Sequence, residues 1–393
     1  MRTLSDRVGL FTDSVIRRMT RISDEYGAIN LSQGFPDFDP PRPLMDALAR
    51  VAYEGPHQYP VTYGAPNLRE ALARKFEKQT GLKTDPETQV LVTCGGTEAM
   101  MCAMMAICNP GDRVLVFSPF YENYGADAIL SGAEPIYIPL IPPDYHFELA
   151  AVEEGFQAGA KCIVICNPSN PCGKVFTREE LAAIGELAKR YDAWVVTDEV
   201  YEYMVYAPSF HTVMAGIPGM AERTVTCNSL SKTYSITGWR LGYMIGPEPV
   251  LEAARKVHDF LTVGAPSPLQ EAAVVGLGFD EGYYEDLNRL YHEKRDYFLA
   301  GLDRIGLKHN TPQGTYFVMA DISDFLMLPQ FQDMTDLEFC EWMIREIGVA
   351  AVPGSSFFRE PVNNLIRLHF AREKDTLDEV IRRLARMTAL LPE

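Results

Sequence analysis

The feature that most constrains the fold is a series of short, continuous apolar runs, rich in Val and Ile, that begins near residue 90. These runs do not alternate polar with apolar residues, which is typical of strands covered by helices on both faces. The predicted strands are Val90–Thr93, Arg113–Phe117, Cys162–Cys166, Trp194–Thr197, Thr224–Cys227 and Leu241–Ile245. Because helical stretches follow most of them, we predict an α/β fold, a three-layer α/β/α sandwich with a mostly parallel sheet.

Two helices of these layers can be recognised from local signals. Thr177 opens a Thr-Arg-Glu-Glu stretch, a capping-box pattern with Glu180 at the third helical position. The run "AMMCAMMAIC", residues 99–108, is apolar throughout but too short to cross a bilayer. It therefore predicts a helix buried inside a domain.

The pattern changes after about residue 283, where the strand–helix alternation stops. The elements predicted beyond that point are a charged helix at Tyr284–Gly301, strands at Thr315–Met319 and Leu365–Phe370, and a last helix from Asp375. We therefore predict a large domain at 46–282 and a smaller α+β domain at 283–393. The segment 1–45, which is rich in Pro near its end, is predicted to pack with the small domain.

Charge and cysteine usage exclude several classes of protein. The chain has 393 residues and a formal net charge of −17, which argues against nucleic acid or an anionic membrane as a partner. The N-terminus shows no signal-peptide pattern. The eight cysteines form no CxxC pair and no cluster with His, which indicates reduced thiols and no structural zinc. We therefore expect a cytoplasmic protein that holds no metal.

A Gly-rich turn follows the first predicted strand. The stretch "CGGTE", residues 94–98, leads directly into the apolar helix. Small residues at a helix N-terminus leave backbone N–H groups free to bind a phosphate. Gly-rich turns between a strand and a helix are also common without a ligand, so this motif is weak evidence by itself.

Polar residues also follow later strands, at the edge where open α/β sheets bind ligands. The stretch "NPSNPCG", residues 167–173, forms a tight turn that directs Asn170 outward. Asp198 ends a buried strand, which is costly unless the carboxylate meets a cation, and Tyr201 follows three residues later. Asp198 can alternatively be an ordinary helix cap.

One lysine lies in an unusual setting. In "NSLSKTYSITGWRLGY", residues 228–243, Lys232 is surrounded by hydroxyl-bearing and small residues rather than by charged ones. It either reaches out of a buried loop to solvent or is held in a pocket where its amine can react. A secluded lysine, a phosphate-binding turn, a buried carboxylate, a phenol and an amide together suit pyridoxal 5′-phosphate (PLP). The lysine would form a Schiff base, and the carboxylate would keep the pyridine nitrogen protonated.

The order and wording of the motifs resemble the class I aminotransferases of the fold-type-I PLP family, and most closely the branch that contains kynurenine/glutamine and methionine aminotransferases. The resemblance covers essentially the whole chain. The matching motifs are "NLSQGFPDFDPP", "QYPVTYGAPNLREAL", "GGTEA", "NPSNPCGKVFT", "DEVYE", "SLSKTYSITGWRLGY" and "IRLHF".

The resemblance implies a role for each residue that would contact the cofactor. Lys232 is similar to the Schiff-base lysine, Asp198 to the partner of the pyridinium, and Tyr201 with Asn170 to the ligands of the ring oxygen. Tyr121, in "SPFYENY", matches an aromatic residue that stacks on the ring. The implied phosphate ligands are Ser229, Arg240 and the backbone of Gly96 and Thr97.

The resemblance also implies substrate and subunit contacts. Arg367 matches an arginine that binds the substrate α-carboxylate through a bidentate pair, and Gly34 would meet the same carboxylate through its backbone. Tyr59 matches a tyrosine that crosses to the phosphate of the partner subunit, which implies a homodimer with two shared active sites. Tyr59 can alternatively be an ordinary core aromatic residue.

The implied activity is transfer of the amino group of an L-amino acid to a 2-oxo acid. Val263, Gly264 and Thr97 stand where kynurenine-type relatives carry larger residues, which predicts a side-chain pocket that is wider or that admits a different group. The stretch 259–268 holds no Arg or Lys, so we predict neutral, aromatic or thioether substrates rather than acidic ones.

Three alternatives follow from the same residues. A basic residue from elsewhere, Arg17 or Arg18, would instead favour an aspartate-type aminotransferase. A PLP β-lyase on the same fold would differ only in its products. A lysine aldolase without PLP is disfavoured by Asp198, Tyr201 and Arg240, and a DNA-binding regulator by the lack of an additional basic segment.

Overall fold

The computed structural model describes residues 5–11 and 13–392. Its strands are β1 (Ile29–Asn30), β2 (Val90–Thr93), β3 (Arg113–Ser118), β4 (Glu134–Pro139), β5 (Ala160–Cys166), β6 (Trp194–Asp198), β7 (Thr224–Ser229), β8 (Gly242–Ile245), β9 (Phe317–Asp321), β10 (Val349–Ala350), β11 (Val352–Pro353) and β12 (Leu365–His369).

Its α-helices are α1 (Val15–Tyr26), α2 (Arg42–Glu54), α3 (Pro66–Thr80), α4 (Gly96–Ile107), α5 (Asn123–Leu130), α6 (Leu149–Gln157), α7 (Arg178–Arg190), α8 (Leu230–Thr233), α9 (Glu248–Thr262), α10 (Ser267–Leu277), α11 (Glu281–Arg304), α12 (Ser323–Leu326), α13 (Asp336–Trp342) and α14 (Lys374–Thr388). Short 3-10 helices span Asp6–Leu10, Met214–Gly216, Thr237–Trp239 and Gly354–Ser356, and a π-helical turn spans Met343–Ile347.

The centre of the molecule is a seven-stranded sheet in the order β2-β8-β7-β6-β5-β3-β4. Strand β8 runs antiparallel to β2 and β7, and the other four strand pairs are parallel, so the sheet is mostly parallel. All six strands predicted before residue 250 form. The additional strand β4 was not predicted, because its sequence "EPIYIP" is interrupted by two prolines. It lies at the sheet edge, where a missing N–H donor is tolerated.

Apolar side chains of the central strands divide between two layers. Ile163 and Val195 pack with residues of α6 and α7 on one face. Val164 and Val196 pack with residues of α4 and α9 on the other face. Because neighbouring residues of a strand point to opposite faces, a continuous apolar run buries both faces. This confirms the predicted α/β/α sandwich.

The local helix signals are also confirmed. The Thr177 hydroxyl accepts a hydrogen bond from the Glu180 N–H, and the Glu180 carboxylate accepts one from the Thr177 N–H. The apolar helix α4 is buried between the sheet and α9. It begins at Gly96, because Gly95 has a φ of +87° that only glycine adopts easily.

The C-terminal third forms a second, smaller sheet in the antiparallel order β11-β12-β9. The predicted strand at 315–319 is shifted in the structure to Phe317–Asp321. Thr315 has a φ of +66°, a left-handed conformation that is incompatible with a strand. The predicted strand at 365–370 and both predicted helices form with small differences at their ends.

The N-terminal segment lies against these C-terminal elements. Strand β1 pairs with β10, and α1 contacts β10, β11 and α13. The domain boundaries at 45/46 and 282/283 stay predictions. Residues 1–4 and 12 of the predicted N-terminal segment, and residue 393 of the small domain, lie outside the described residues. Among the residues that the structure describes, no helix has the length and apolarity needed to cross a membrane.

Candidate active site

A cavity of about 450 Å³ opens at the carboxyl ends of the central strands. The last residues of β5, β6 and β7 are Cys166, Asp198 and Ser229, and all three line it. Eleven of the twelve predicted site residues line the same cavity: Gly34, Gly96, Thr97, Tyr121, Asn170, Asp198, Tyr201, Ser229, Lys232, Arg240 and Arg367. Tyr59 does not, and its side chain is 84% exposed.

One end of the cavity has the character of an anion-binding cup. A Cβ atom placed on Gly95 would lie 2.8 Å from the guanidinium carbon of Arg240, so only glycine lets this arginine approach the start of α4. Ser229 lies beside Gly96, and no described residue forms a hydrogen bond with the buried hydroxyl of Ser231. Free helix N–H groups, a guanidinium and hydroxyls are the groups that bind a phosphate.

A second layer of hydrogen bonds holds the turn before α4. The Glu98 carboxylate accepts hydrogen bonds from the Cys94 N–H (2.5 Å) and from the Thr262 hydroxyl (2.7 Å). His258 contacts it at 2.9 Å. Burial raises the pKa of the Glu98 carboxyl, but these hydrogen bonds lower it further, so that the pKa lies below its usual value. The turn is therefore tied to α9 rather than left as a free loop.

Asp198 lies deep in the cavity with its carboxylate partly satisfied. The Tyr124 hydroxyl donates to Oδ2 at 2.6 Å, and the Val200 N–H donates to Oδ1 at 3.3 Å. Burial raises the pKa of Asp198, while the hydrogen bond from Tyr124 and the charge of Lys232 lower it. A cation seated against this carboxylate would favour its ionised form. A protonated ring nitrogen fits that requirement.

Lys232 points into the cavity rather than to bulk solvent. It lies on the short helix α8, directly after β7, and its Nζ donates to the Gly34 carbonyl oxygen at 3.1 Å. Its Nζ is 5.9 Å from the ring centre of Tyr201. Within residues 5–11 and 13–392 it forms no ion pair. An amine held by a single neutral acceptor remains available for chemistry.

Arg367 supplies a second positive charge on the cavity, away from the turn that holds Arg240. The residue is 1% exposed, and its guanidinium lies 4.1 Å from the ring centre of Phe317. One terminal nitrogen donates to Asn170 Oδ1 at 2.7 Å and the other to the Ser32 carbonyl oxygen at 2.6 Å, while Nε finds no partner in the described part of the chain. Burial lowers the pKa of Arg367 to about 10, so it remains charged at neutral pH.

No acidic side chain of the described residues forms an ion pair with Arg367. A buried guanidinium without a counter-ion is costly, and an anionic ligand would offset that cost. The cavity therefore offers two separate anion sites, together with an amine and a carboxylate. This set of groups fits PLP together with the carboxylate of an amino acid.

Sequence analysis did not identify several residues that line this cavity. Tyr124 follows Tyr121 closely in the chain. No sequence pattern around it indicates that its hydroxyl reaches Asp198, which is 74 positions away. Ser14 and Glu122 were missed for the same reason, since they meet only through tertiary packing. Of the two candidate arginines, Arg17 lines the cavity.

The chain is similar over its whole length to known enzymes. The model of the family "aminotransferase class I and II" matches residues 26–384. The probable N-succinyldiaminopimelate aminotransferase of Mycobacterium tuberculosis is 35% identical over 391 residues, covering 96% of this chain and 97% of that protein. A solved structure of N-succinyldiaminopimelate aminotransferase from that organism superimposes with a TM-score of 0.92, over 98% of this chain and 100% of the other.

Two further relatives carry other substrate names. The methionine aminotransferase of Escherichia coli is 34% identical over 375 residues, covering 95% of this chain and 96% of that protein. Kynurenine–oxoglutarate transaminase 1 of Homo sapiens is 34% identical over 396 residues, covering 92% and 94%. The resemblance found in the motifs is confirmed. The chain belongs to the class I and II aminotransferases and is a PLP-dependent transaminase that acts on amino acids and 2-oxo acids.

Proposed function

We propose that this transaminase takes the amino group from an L-amino acid with a neutral side chain and passes it to a 2-oxo acid. The observation that carries the proposal is the buried Arg367, which forms no ion pair with a described residue and lines the same cavity as the Lys232 amine. Its planar guanidinium can bind an α-carboxylate through two parallel hydrogen bonds. Every amino acid carries that group, so the carboxylate orients the substrate without selecting its side chain.

The same residues would hold the cofactor. When bound, PLP supplies an aldehyde that takes the amino group and a ring that withdraws electrons from Cα. The proposed phosphate ligands are Ser229, Arg240 and the backbone of Gly96 and Thr97. Asp198 would hold the ring nitrogen, Asn170 and Tyr201 the ring oxygen, and Tyr121 the face of the ring.

Lys232 is the proposed acid–base group. Its amine would take a proton from the substrate Cα and would return it, from the same side, to the cofactor carbon. The Gly34 carbonyl oxygen holds the amine at 3.1 Å, and the Tyr316 hydroxyl donates to that same oxygen at 2.8 Å. Asn170 positions Arg367 through their 2.7 Å hydrogen bond, and it thereby links the cofactor side of the cavity to the carboxylate side.

We expect a donor panel to favour neutral side chains. Methionine, glutamine, phenylalanine and aspartate, each assayed against several 2-oxo acids, should give the highest kcat/KM with the first three. Although Arg17 lines the cavity, a distal carboxylate would also meet the like charge of Glu122, and it should lose about 10-fold or more in kcat/KM. If aspartate exceeds all three, the enzyme is instead of the aspartate type. Release of pyruvate and a thiol from a sulfur conjugate, without formation of an amino-acid product, would indicate a β-lyase.

We also propose that the active molecule is a homodimer with shared active sites. Large apolar side chains are exposed on α2, α9 and the segment between α2 and α3, including Tyr53, Tyr59 and Phe260. Helix α9 touches the segment between α2 and α3, because the Thr62 carbonyl oxygen is 2.9 Å from His258 Nε2. Several large apolar side chains exposed on such elements are typical of a protein–protein interface.

Phe260→Asp is expected to break this interface. The side chain is 92% exposed in the single chain, so a charge there should leave the fold intact but prevent its burial against a second copy. Light scattering should show twice the 44.0 kDa chain mass for the native protein and the single-chain mass for the variant. Phe210→Asp, at a second aromatic residue that is 70% exposed, is the matched control. A native protein of single-chain mass would contradict the proposal.

A cytoplasmic location is likewise proposed. All eight cysteines are free thiols, and seven of them are buried. Reduced thiols in this number are typical of proteins that stay in the cytosol. Fractionation of the source cells tests this location, and recovery of the protein outside the cytoplasm would contradict it.

A further inference from the structure

A buried histidine joins three segments of the chain behind the phosphate cup. His258 lies on α9 and is 0% exposed. Its Nε2 is 2.9 Å from the Thr62 carbonyl oxygen, in the segment between α2 and α3. Its Nδ1 is 2.9 Å from Oε1 of Glu98, in the first turn of α4. All three residues lie outside the set of described residues that line the cavity.

Both ring nitrogens of His258 face oxygen atoms that accept hydrogen bonds. A carbonyl oxygen can only accept, so Nε2 carries a proton toward Thr62. An ionised carboxylate can also only accept, so a bare Nδ1 would set its lone pair against Glu98. The single proton of the Thr262 hydroxyl does not solve this, because that hydroxyl is closer to Glu98 Oε1 (2.7 Å) than to Nδ1 (3.2 Å). The contact therefore needs one further proton between His258 and Glu98.

The surroundings place this proton on the ring. Burial raises the pKa of Glu98, but hydrogen bonds from His258, Cys94 and Thr262 bring it below its usual value, so the carboxylate is ionised at neutral pH. The Cys102 thiol lies within 4.8 Å of both groups, and burial raises its pKa, which favours the neutral thiol. His258 and Glu98 thus form a buried imidazolium–carboxylate pair without net charge.

Other titratable groups lie around this pair. On the side of α4, burial and then the charge of Glu98 raise the pKa of the Cys94 thiol. On the side of Thr62 the neighbours are Tyr63 and Arg255, whose guanidinium lies 4.2 Å from the tyrosine ring centre. Arg255 donates to the Glu87 and Val90 carbonyl oxygens rather than to Glu98. Within the described residues, His258 is the cation that is paired with Glu98.

We propose that the proton shared by His258 and Glu98 positions the turn that binds the cofactor phosphate. With the proton in place, His258 holds the Glu98 carboxylate, which in turn accepts the Cys94 N–H at 2.5 Å, directly before the turn. Without it, the Nδ1 lone pair would repel the carboxylate and loosen the turn at Gly96. This inference rests on the proposed phosphate contacts. It makes His258 and Glu98 positioning residues, since neither would touch the cofactor.

A second buried His–Glu pair lacks this feature and serves as the matched control. His211 Nε2 is 2.9 Å from Glu199 Oε2, but His211 Nδ1 has no hydrogen-bond partner among the described residues. A ring with one proton, on Nε2, satisfies that contact. Neither residue belongs to the described residues that line the cavity.

The rate at which the holoenzyme releases PLP tests the proposal. Loss of the bound-PLP absorbance after dilution should be at least about 10-fold faster at alkaline than at neutral pH, because a charge-assisted hydrogen bond is lost with the proton. In Glu98→Gln the amide can donate to Nδ1 of a neutral ring and still accept from the Cys94 N–H. We therefore expect this variant to show a rise of less than about threefold, and Glu199→Gln to keep the native rise.

Two outcomes of this measurement would overturn the proposal. One is a native release rate that does not rise with pH. The other is a rise that Glu98→Gln shares with the native protein, since another group would then set it. PLP release does not depend on the amino donor, so a failure of the proposed substrate class would leave this test readable.

Nitrogen-15 NMR of the histidine-labelled holoenzyme reads the ring directly. At neutral pH the His258 signals, identified by their absence in His258→Gln, should show two protonated nitrogens, and Glu98→Gln should reduce these to one. If none of the seven histidines of the native protein shows two protonated nitrogens, the proposal is wrong, and that result needs no variant. Elemental analysis that finds about one metal ion per chain, bound by Glu98, His258 and Cys102, would also refute it, because the ion would replace the proton.

Discussion

Lys232→Ala is expected to lower kcat by about 10⁴-fold or more, because it removes the group proposed to move the Cα proton. Cofactor binding should persist, since the proposed phosphate ligands and Asp198 are unchanged. Stopped-flow measurement of Cα–deuterium loss, together with the absorbance of bound PLP, checks both expectations. A variant that binds PLP but does not exchange the Cα deuterium would support the assignment.

Chemical labelling gives an independent test of the same lysine. Borohydride reduction of the native holoenzyme should fix PLP to a peptide that contains Lys232. The informative comparison is Lys75, which is also largely buried but is held by Glu202 at 2.8 Å and does not line the cavity. Lys256→Ala, at an exposed lysine on α9, should keep full activity. A label on any lysine other than Lys232 would refute the assignment.

Asp198→Asn is expected to slow Cα-proton removal by about 10³-fold, with a much smaller effect on PLP affinity. The amide keeps the shape of the side chain but cannot hold a protonated ring nitrogen by charge. Tyr124→Phe should give a smaller loss, about 10-fold, because it removes only the 2.6 Å hydrogen bond to Asp198. Single-turnover rates and the pH titration of the PLP absorbance measure both effects.

Asp127 offers a matched control for Asp198. It is 2% exposed, it lies on α5, and its Oδ2 has no hydrogen-bond partner among the described residues. Burial, and then the charge of Asp198, raise the pKa of Asp127 well above its usual value. Because burial disfavours the charged form of Asp127 and the residue does not line the cavity, Asp127→Asn should keep activity within about threefold. Near-normal turnover in Asp198→Asn would instead mean that this carboxylate is a structural cap.

Much of the fold could be predicted from local patterns. The continuous apolar runs predicted the central strands, and the capping box at Thr177 predicted the start of α7, because each depends on residues that are neighbours in the chain. The edge strand β4 was not predicted. Its two prolines are tolerated only because the strand pairs with β3 alone and lies at the edge of the sheet. The start of β9 was placed too early, because a left-handed Thr315 leaves no trace in composition.

For the cavity too, some residues could be predicted from local patterns and others depend on tertiary packing. The residues that follow strand ends could be predicted to lie together, because the carboxyl ends of parallel strands meet at one edge of the sheet. Arg367 was assigned only through the resemblance to a family, as its contacts with Asn170 and Ser32 span 197 and 335 positions. The side-chain end of the pocket could not be predicted from spacing.

The sequence by itself determined the sandwich, the position of Lys232 and Asp198 at strand ends, and the family. Only the tertiary structure decided which arginine of α1 faces the cavity. Arg17 and Arg18 are adjacent, so they differ by about 100° around the helix axis. The packing of α1 against β10, β11 and α13 sets its rotation, and those elements lie more than 300 residues away. That rotation places Arg17 on the cavity and directs Arg18 to Glu341, a choice that no local pattern encodes.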